Sequence, residues 1–440
     1  MNNSNRTSRI NNILSPIQRF LHTEASGGII LLVFTIIALI WANSKLSESY
    51  FKLWKHYVSL DFGIIQLKYS LSHWINDGLM VLFFLVVGLE IKRELIAGEL
   101  SSLKKATLPI AGAIGGMLLP ALIYLIFNFG KEGMPGWGIP MATDIAFVVG
   151  LISLFGQRFP VQLKIFVLAL AIVDDIGAIL VIAIFYTKEI STTSLILAMI
   201  ILGLLVLLNK LKVRNLLVYT IGGVFLWLAV LKSGVHATIA GVLLAFVIPA
   251  KQKIDKQKFL ENSKQLLEEF NKNDDEEDIL KDEKRLNIVF ELEKRCENVL
   301  TPLQRLENNL HPWVSFFIIP LFALANAGVQ LSGSLTMNVL HPISIGIILG
   351  LFLGKQIGIF AFSYLAIKFK IAAKMESVNY LTLYGASIIC AIGFTMSLFI
   401  ANLAFESNTL LDISKIGILL ASLVSAIFGY IVTKVGMNRI

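Results

Sequence analysis

The sequence predicts an all-α polytopic membrane protein. Three observations predict it: apolar runs recur at spanning length, basic residues crowd alternate connections, and single acids interrupt otherwise apolar helices. Of 440 residues, 56% are hydrophobic and 15% charged, with a mean hydropathy of +0.74. One soluble core cannot enclose that much apolar surface, so the bilayer has to act as part of the solvent. About twelve transmembrane helices are expected, at Gly27 to Ala42, Leu71 to Ile91, Ala106 to Phe129, Gly138 to Phe155, Val161 to Tyr186, Thr193 to Leu208, Leu216 to Leu231, Val235 to Ile248, Pro312 to Val329, Pro342 to Ile367, Tyr380 to Ala404 and Ile416 to Val432. Most approach the roughly 20 residues that carry a helix across about 30 Å of hydrocarbon.

Arg6, Arg9 and Arg19 precede the first run, and no small-residue cleavage site follows it, so an uncleaved first helix is expected in place of a signal peptide. With the N-terminus inside, the inner connections outside the charged insertion carry 18 basic residues and the outer ones 8. That bias places both termini in the cytoplasm. The net charge of +8 is scattered over short loops without a stripe or binding motif, which argues against a nucleic-acid partner. Cys296 and Cys390 lie far apart and suggest neither a disulfide framework nor a metal pattern. No cofactor is expected.

Residues 251–300 reverse the composition, with 25 charged residues in 50 and an acidic centre at Asp274, Asp275, Glu276, Glu277 and Asp278. They form a charged cytoplasmic insertion. Phe259 to Phe270 and Leu286 to Val299 have helical apolar spacing around a solvated turn. The insertion separates about eight transmembrane helices in residues 1–250 from about four in 301–440, all within one integral domain. Val58 to Leu71 alternates apolar and polar residues about Asp61-Phe62-Gly63, which predicts a small external β-hairpin. Ile10 to Leu21 has the pattern of a short amphipathic surface helix.

Few spanning segments carry an ionisable group, and those that do point to function. A charge near the bilayer centre costs several kcal/mol and persists where it faces a cavity, a partner or a transport path. The set is Asp77, Asp144, the adjacent Asp174 and Asp175, and Lys355. Neighbouring helical residues point about 100° apart, so Asp174 and Asp175 cannot address one ion from the same direction. The natural division is one acid toward a cavity and the other toward Lys355, whose flanking Gly354 and Gly358 permit close helix approach. Ile139-Pro140-Met141-Ala142-Thr143-Asp144 and Ala391-Ile392-Gly393-Phe394-Thr395-Met396-Ser397 interrupt two apolar segments in opposite halves of the chain. Such interruptions predict a midplane site built from broken helices. Asp144 and Lys355 are suited to offset the facing helix dipoles.

These segments, with Phe83 to Leu95, Ala142 to Phe147, Ala169 to Gly177, Leu231 to Thr238, Pro320 to Gly328 and Gly393 to Ser397, closely resemble the NhaA family of sodium/proton antiporters over nearly the whole chain apart from the insertion. The resemblance implies an inverted repeat with two broken helices crossing at the midplane. It implies electrogenic exchange of one cytoplasmic Na+ or Li+ for more than one external proton, in the bacterial inner membrane. By that resemblance Asp174 and Asp175 bind the ion and protons, Lys355 is their partner, and Thr143 and Asp144 mark the unwound crossing, with Asp77 an accessory buried acid. Glu90, Arg93, Glu94, Glu307 and His311 form a cytoplasmic pH-responsive cluster, His236 affects the pH response from elsewhere, and the external hairpin makes a homodimer contact. Two departures bear on the pH response: the long insertion before Glu307, and Asn308 where some members have histidine.

The chemistry agrees independently. Na+ is a hard cation that prefers oxygen ligands, and a carboxylate sealed from water can hold either a proton or the metal ion. Competition for one site gives exchange. A sodium-coupled solute symporter shares the broken-helix architecture and is the alternative. An intramembrane aspartyl protease would place its acids on separate helices, and no Gly-x-Gly-Asp run occurs.

Overall fold

Hydrocarbon offers no hydrogen bonds, so each spanning segment has to satisfy its own backbone, and the twelve apolar runs all fall on helical segments. The structure is a computed structural model describing residues 24–61, 63, 66–187, 190–251, 256–272, 283–331 and 335–439. Among them, six segments are long and apolar enough to cross a membrane: Leu103–Asn128, Met134–Ser153, Val161–Phe185, Thr192–Lys210, Pro342–Lys368 and Asn408–Met437, the second of them broken at 142–144. Two bent pairs pass the same criterion together, Ser26–Ala42 with Ser47–Lys55 at 112° and Tyr380–Ile389 with Phe394–Ala404 at 45°. Leu216–Leu231 is a shorter apolar helix, and Ile239–Val247 is shorter still.

The segments 71–97, 302–326 and 342–368 are each widened by a π-turn, at Trp74–Leu79, Val314–Ile318 and Gly350–Lys355. A π-turn costs regular hydrogen bonding and tends to occur where a side chain must be re-aimed. Asp77 lies within the first and Lys355 ends the third. Gly354 packs so closely that an added Cβ would meet the Pro120 Cα at 2.8 Å, which brings Lys355 against the helix Leu103–Asn128.

The external hairpin pairs Tyr57–Asp61 with Gln66–Ser70 antiparallel. Asp61 fixes the turn by accepting from Gly63 N–H at 2.8 Å and the Gln66 amide at 2.7 Å, and these bonds hold its carboxyl below the ordinary range. The insertion forms the helices Lys256–Lys272 and Glu283–Val299, packed on each other. Its acidic centre, the amphipathic stretch Ile10 to Leu21, Phe62 and Lys188 lie outside the described residues.

One placement differs from the sequence expectation. Lys415, counted among outer-loop cations, lies about two turns inside the long helix Asn408–Met437 and is 8% exposed. Its ammonium sits 3.7 Å from Asp412 and donates to the Gly328 carbonyl at 3.4 Å. Hydropathy placed the span boundary at Ile416, whereas the helix begins eight residues earlier because Lys415 finds oxygen partners there.

Candidate site at the helix crossing

At residues 142–144 the chain leaves helical geometry, with Ala142 at φ −73°, ψ 150° and Asp144 at φ −93°, ψ 98°. The second break lies between Ile389 and Phe394. The two breaks cross: Asp144 N–H donates to the Ile392 carbonyl at 2.8 Å, and the Ser397 hydroxyl donates to the Ile139 carbonyl at 2.8 Å. The broken segments come from before and after the insertion, as an inverted repeat requires.

Facing half-helix ends leave unpaired backbone groups and opposed dipoles, which a dry site has to neutralise. Asp144 Oδ1 accepts from Phe147 N–H at 3.0 Å at the start of Ile145–Ser153. Its Oδ2 accepts from Thr395 N–H at 2.9 Å and the Thr395 hydroxyl at 2.5 Å, at the start of Phe394–Ala404. One carboxylate therefore caps two N-termini. At the opposite polarity, the Lys355 ammonium donates to the Met141 carbonyl, which ends the turn Met134–Met141.

Lys355 also donates to Asp174 Oδ2 at 2.6 Å. The Thr143 hydroxyl stands 2.6 Å from the same oxygen and 3.1 Å from the Cys390 carbonyl, and its single proton serves one acceptor at a time. Asp174 and Asp175 are each 2% exposed and Lys355 is fully buried. Asp175 shares in none of these bonds: its buried Oδ2 has no hydrogen-bond partner among the described residues, nor has Asp174 Oδ1. The charges that reach Asp175 are those of Asp174, Glu90, Lys355 and Asp144. Two carboxylate oxygens buried without donors suit a hard cation or a proton, since either would satisfy them.

A cavity of about 690 Å³ leads toward this pair from the side bearing the insertion. Glu90, Arg93, Glu94, Glu307, Asn308 and His311 line it, and Ala169 and Ile172 bring it to within one helical turn of Asp175. Arg93 pairs with Glu307 and stands 3.5 Å from Glu94, whose other oxygen accepts from Glu99 N–H at 2.9 Å. Burial pushes the Glu307 carboxyl above its ordinary value of 4.5, against the opposing pull of Arg93. The structure thus brings the five proposed pH-responsive residues to one cavity. His236 lies apart, with Nε2 2.6 Å from the Tyr186 carbonyl. Asp77 lies apart as well, toward the hairpin.

Beyond Asp175 toward the hairpin, Phe84, Ile179, Ile182, Thr238, Ile239 and Val242 line a mostly apolar gap with no room for water. Among the described residues the cavity approaches the pair from one face, and the gap near Ile179 and Ile182 has no room for water.

Residues 18–433 match the family model described as Na+/H+ antiporter 1. The chain belongs to this family. It is 50% identical over 420 residues to a protein of Koribacter versatilis named Na(+)/H(+) antiporter NhaA, covering 96% of this chain and 91% of that one. Proteins of the same name from Wolinella succinogenes and Oleidesulfovibrio alaskensis are each 48% identical, covering 93% and 97% of this chain and 91% and 95% of their own. A Na+/H+ antiporter 1 member is a transporter and a multi-pass membrane protein, as the apolar helices require.

Three contributors escaped sequence reasoning. Thr395 was legible only as part of a small-residue run, yet it anchors Asp144. Lys92 donates to the Phe246 and Ile248 carbonyls at 2.6 and 2.5 Å, holding the end of Ile239–Val247, and burial lowers its pKa to about 8. His73 stands one turn before Asp77, an i, i+4 spacing that could have been noticed.

Proposed function

We propose that this chain is an electrogenic Na+/H+ antiporter of the bacterial inner membrane, expelling cytoplasmic Na+ or Li+ in exchange for external protons. The observation that carries this reading is the division of the acid pair: Asp174 is committed to Lys355 and Thr143, while Asp175 keeps a buried oxygen unpartnered among the described residues, one helical turn from the cavity on the insertion side. Family membership supports it. The alternative of a sodium-coupled solute symporter draws no support from the names of the relatives.

In this reading, Na+ entering the cavity meets Asp175 and the free oxygen of Asp174, where it displaces protons. Loading and unloading compete for the same oxygens, so the two ions cannot be carried together. Two acids can return more than one proton per Na+, which moves net charge. Lys355 balances Asp174 and the Met141 half-helix end, and its work is to hold the site together more than to carry the proton. Asp144 and Thr143 keep the crossing unwound and in register.

The cavity cluster of Glu90, Arg93, Glu94, Glu307 and His311 is the pH-responsive entrance. Both termini face the cytoplasm, the exposed hairpin is the contact of a homodimer, and residues 1–250 and 301–440 act as one transport domain.

The test is Na+-induced proton release in everted vesicles, comparing the natural chain with Asp175→Asn. Dequenching on Na+ addition is expected for the former and background for the latter. Equal signals would refute the site.

A further inference from the structure

The chain reaches the crossing through the 3₁₀ turn Met134–Met141. Eight residues is long for this geometry, which keeps poor hydrogen bonds and seldom runs beyond three or four. Pro135 and Pro140 also remove two amide donors. Side chains of other helices hold the turn instead. Ser397 donates to the Ile139 carbonyl at 2.8 Å, Lys355 to the Met141 carbonyl and, just before the turn, Tyr124 to the Gly133 carbonyl at 2.6 Å.

The remaining tie comes from Tyr186, which caps Val161–Phe185, the helix that carries the acid pair. Its hydroxyl donates to the Pro135 carbonyl at 2.7 Å. Tyr186 is itself well fixed. Its N–H donates to the Ile182 carbonyl at 3.2 Å, and its carbonyl lies 2.6 Å from His236 Nε2. The turn lies close against the phenol, because a Cβ added at Gly138 would meet the hydroxyl oxygen at 2.9 Å. Alongside, Trp137 stands edge-on to Phe185 with ring centroids 5.0 Å apart.

These ties close a frame. From Asp174 up to Tyr186 the helix rises roughly 18 Å. From Pro135 down to Thr143, six 3₁₀ steps and two extended ones cover roughly 19 Å. The two sides match in length, and they are joined at both ends: Tyr186 to Pro135 at one, and the Thr143 hydroxyl to Asp174 Oδ2 at 2.6 Å at the other. The turn therefore acts as a strut whose far end is set by one phenol hydroxyl.

We propose that Tyr186 is a positioning residue for the ion site, acting through Thr143. This rests on the antiport reading of that site. Tyr186 stands too far from the acids to bind the ion. Its hydroxyl fixes the outer end of the strut, and the strut places Thr143 against Asp174. Without that bond the turn slackens, Thr143 shifts relative to Asp174, and Na+ is held less tightly.

Two readouts test this: the half-saturating Na+ for exchange in everted vesicles, and the Na+ concentration that half-maximally raises the melting temperature of the full chain in detergent. Tyr186→Phe is expected to raise both about fivefold, the worth of one net hydrogen bond. Gly138→Ala presses on the same hydroxyl from the turn and should raise both as well, which keeps the test open if Tyr186→Phe inserts poorly. Because the effect passes through Thr143, adding Tyr186→Phe to Thr143→Ala should raise neither value further. Unmoved Na+ values in Tyr186→Phe, with or without a lower melting temperature, would make Tyr186 a packing residue and overturn the proposal. Multiplied effects in the double variant overturn it too. If the natural chain exchanges no Na+ for protons, the antiport reading fails, and the melting-temperature readout still decides whether Tyr186 shapes a Na+ site.

Discussion

Lys355–Asp174 and Arg93–Glu307 are both cation–carboxylate pairs, and both join helices distant in the chain, yet their surroundings differ completely. The first has neither side chain exposed, and Asp174 Oδ2 also lies within hydrogen-bond reach of Thr143. In the second, the Arg93 side chain is 44% exposed at a cavity of about 690 Å³. In the dry crossing, neither charge can be removed without stranding the other, so the pair fixes geometry. At the cavity, water and salt reach the Arg93 end while the Glu307 side chain stays 6% exposed, so the carboxyl can exchange a proton through the cavity with its cation partly screened.

The largest expected effects lie at the crossing. Asp174→Asn and Asp175→Asn should each reduce Na+-driven dequenching to the background of vesicles lacking the protein, because each removes a titratable oxygen. Near-normal exchange in both would remove the crossing from the transport path. Next, Lys355→Ala should cost about 3–5 kcal/mol by leaving Asp174 and the Met141 carbonyl without their cation. The melting temperature in detergent reads this directly. An unchanged melting temperature with lost charge movement would make Lys355 a proton carrier.

The cavity pair should give smaller numbers and a different readout. Arg93→Ala is expected to cost less than Lys355→Ala, because Glu307, 6% exposed and already raised by burial, can take up a proton when its cation is removed, while shifting the pH at which exchange rises. A loss as large as that at Lys355 would erase the distinction between the two pairs. Glu307 sharpens it through pH. Because burial holds its carboxyl above the ordinary 4.5, the folded chain binds that proton more tightly than the unfolded chain. Its contribution to stability is therefore fully present below about pH 4.5 and declines as pH rises through the folded value. Glu307→Gln should flatten the melting temperature against pH over that window; an identical slope would show that Glu307 does not titrate there.

The smallest effect belongs to the insertion. Replacing residues 251–300 with a short flexible linker should leave maximal exchange nearly intact, because no insertion residue lines the cavity among those described. Since Leu303 N–H bonds the Pro249 carbonyl at 3.2 Å, the replacement begins beside the helix bearing Glu307 and should move only the pH profile. Loss at every pH despite normal membrane insertion would place the segment within the transport machinery.

Hydropathy by itself determined the twelve helical runs, because the length of a span is set by the bilayer. The rarity of charge in those runs determined the candidate acids, because only function or pairing offsets a charge in hydrocarbon. Alternation about Asp61 and Gly63 gave the hairpin its place. Which acid Lys355 meets was not legible, since Asp174 and Asp175 are adjacent and only the docking of Pro342–Lys368 against Leu103–Asn128 aims the ammonium at Asp174. That Asp144 caps two helices could not be read either, because its second partner, Thr395, lies 251 residues away. Lys415 and Lys92 looked like ordinary boundary cations until carbonyls at distant helix ends were placed beside them. A lysine's environment is a property of what packs against it, and sequence spacing reports only the neighbours on its own helix.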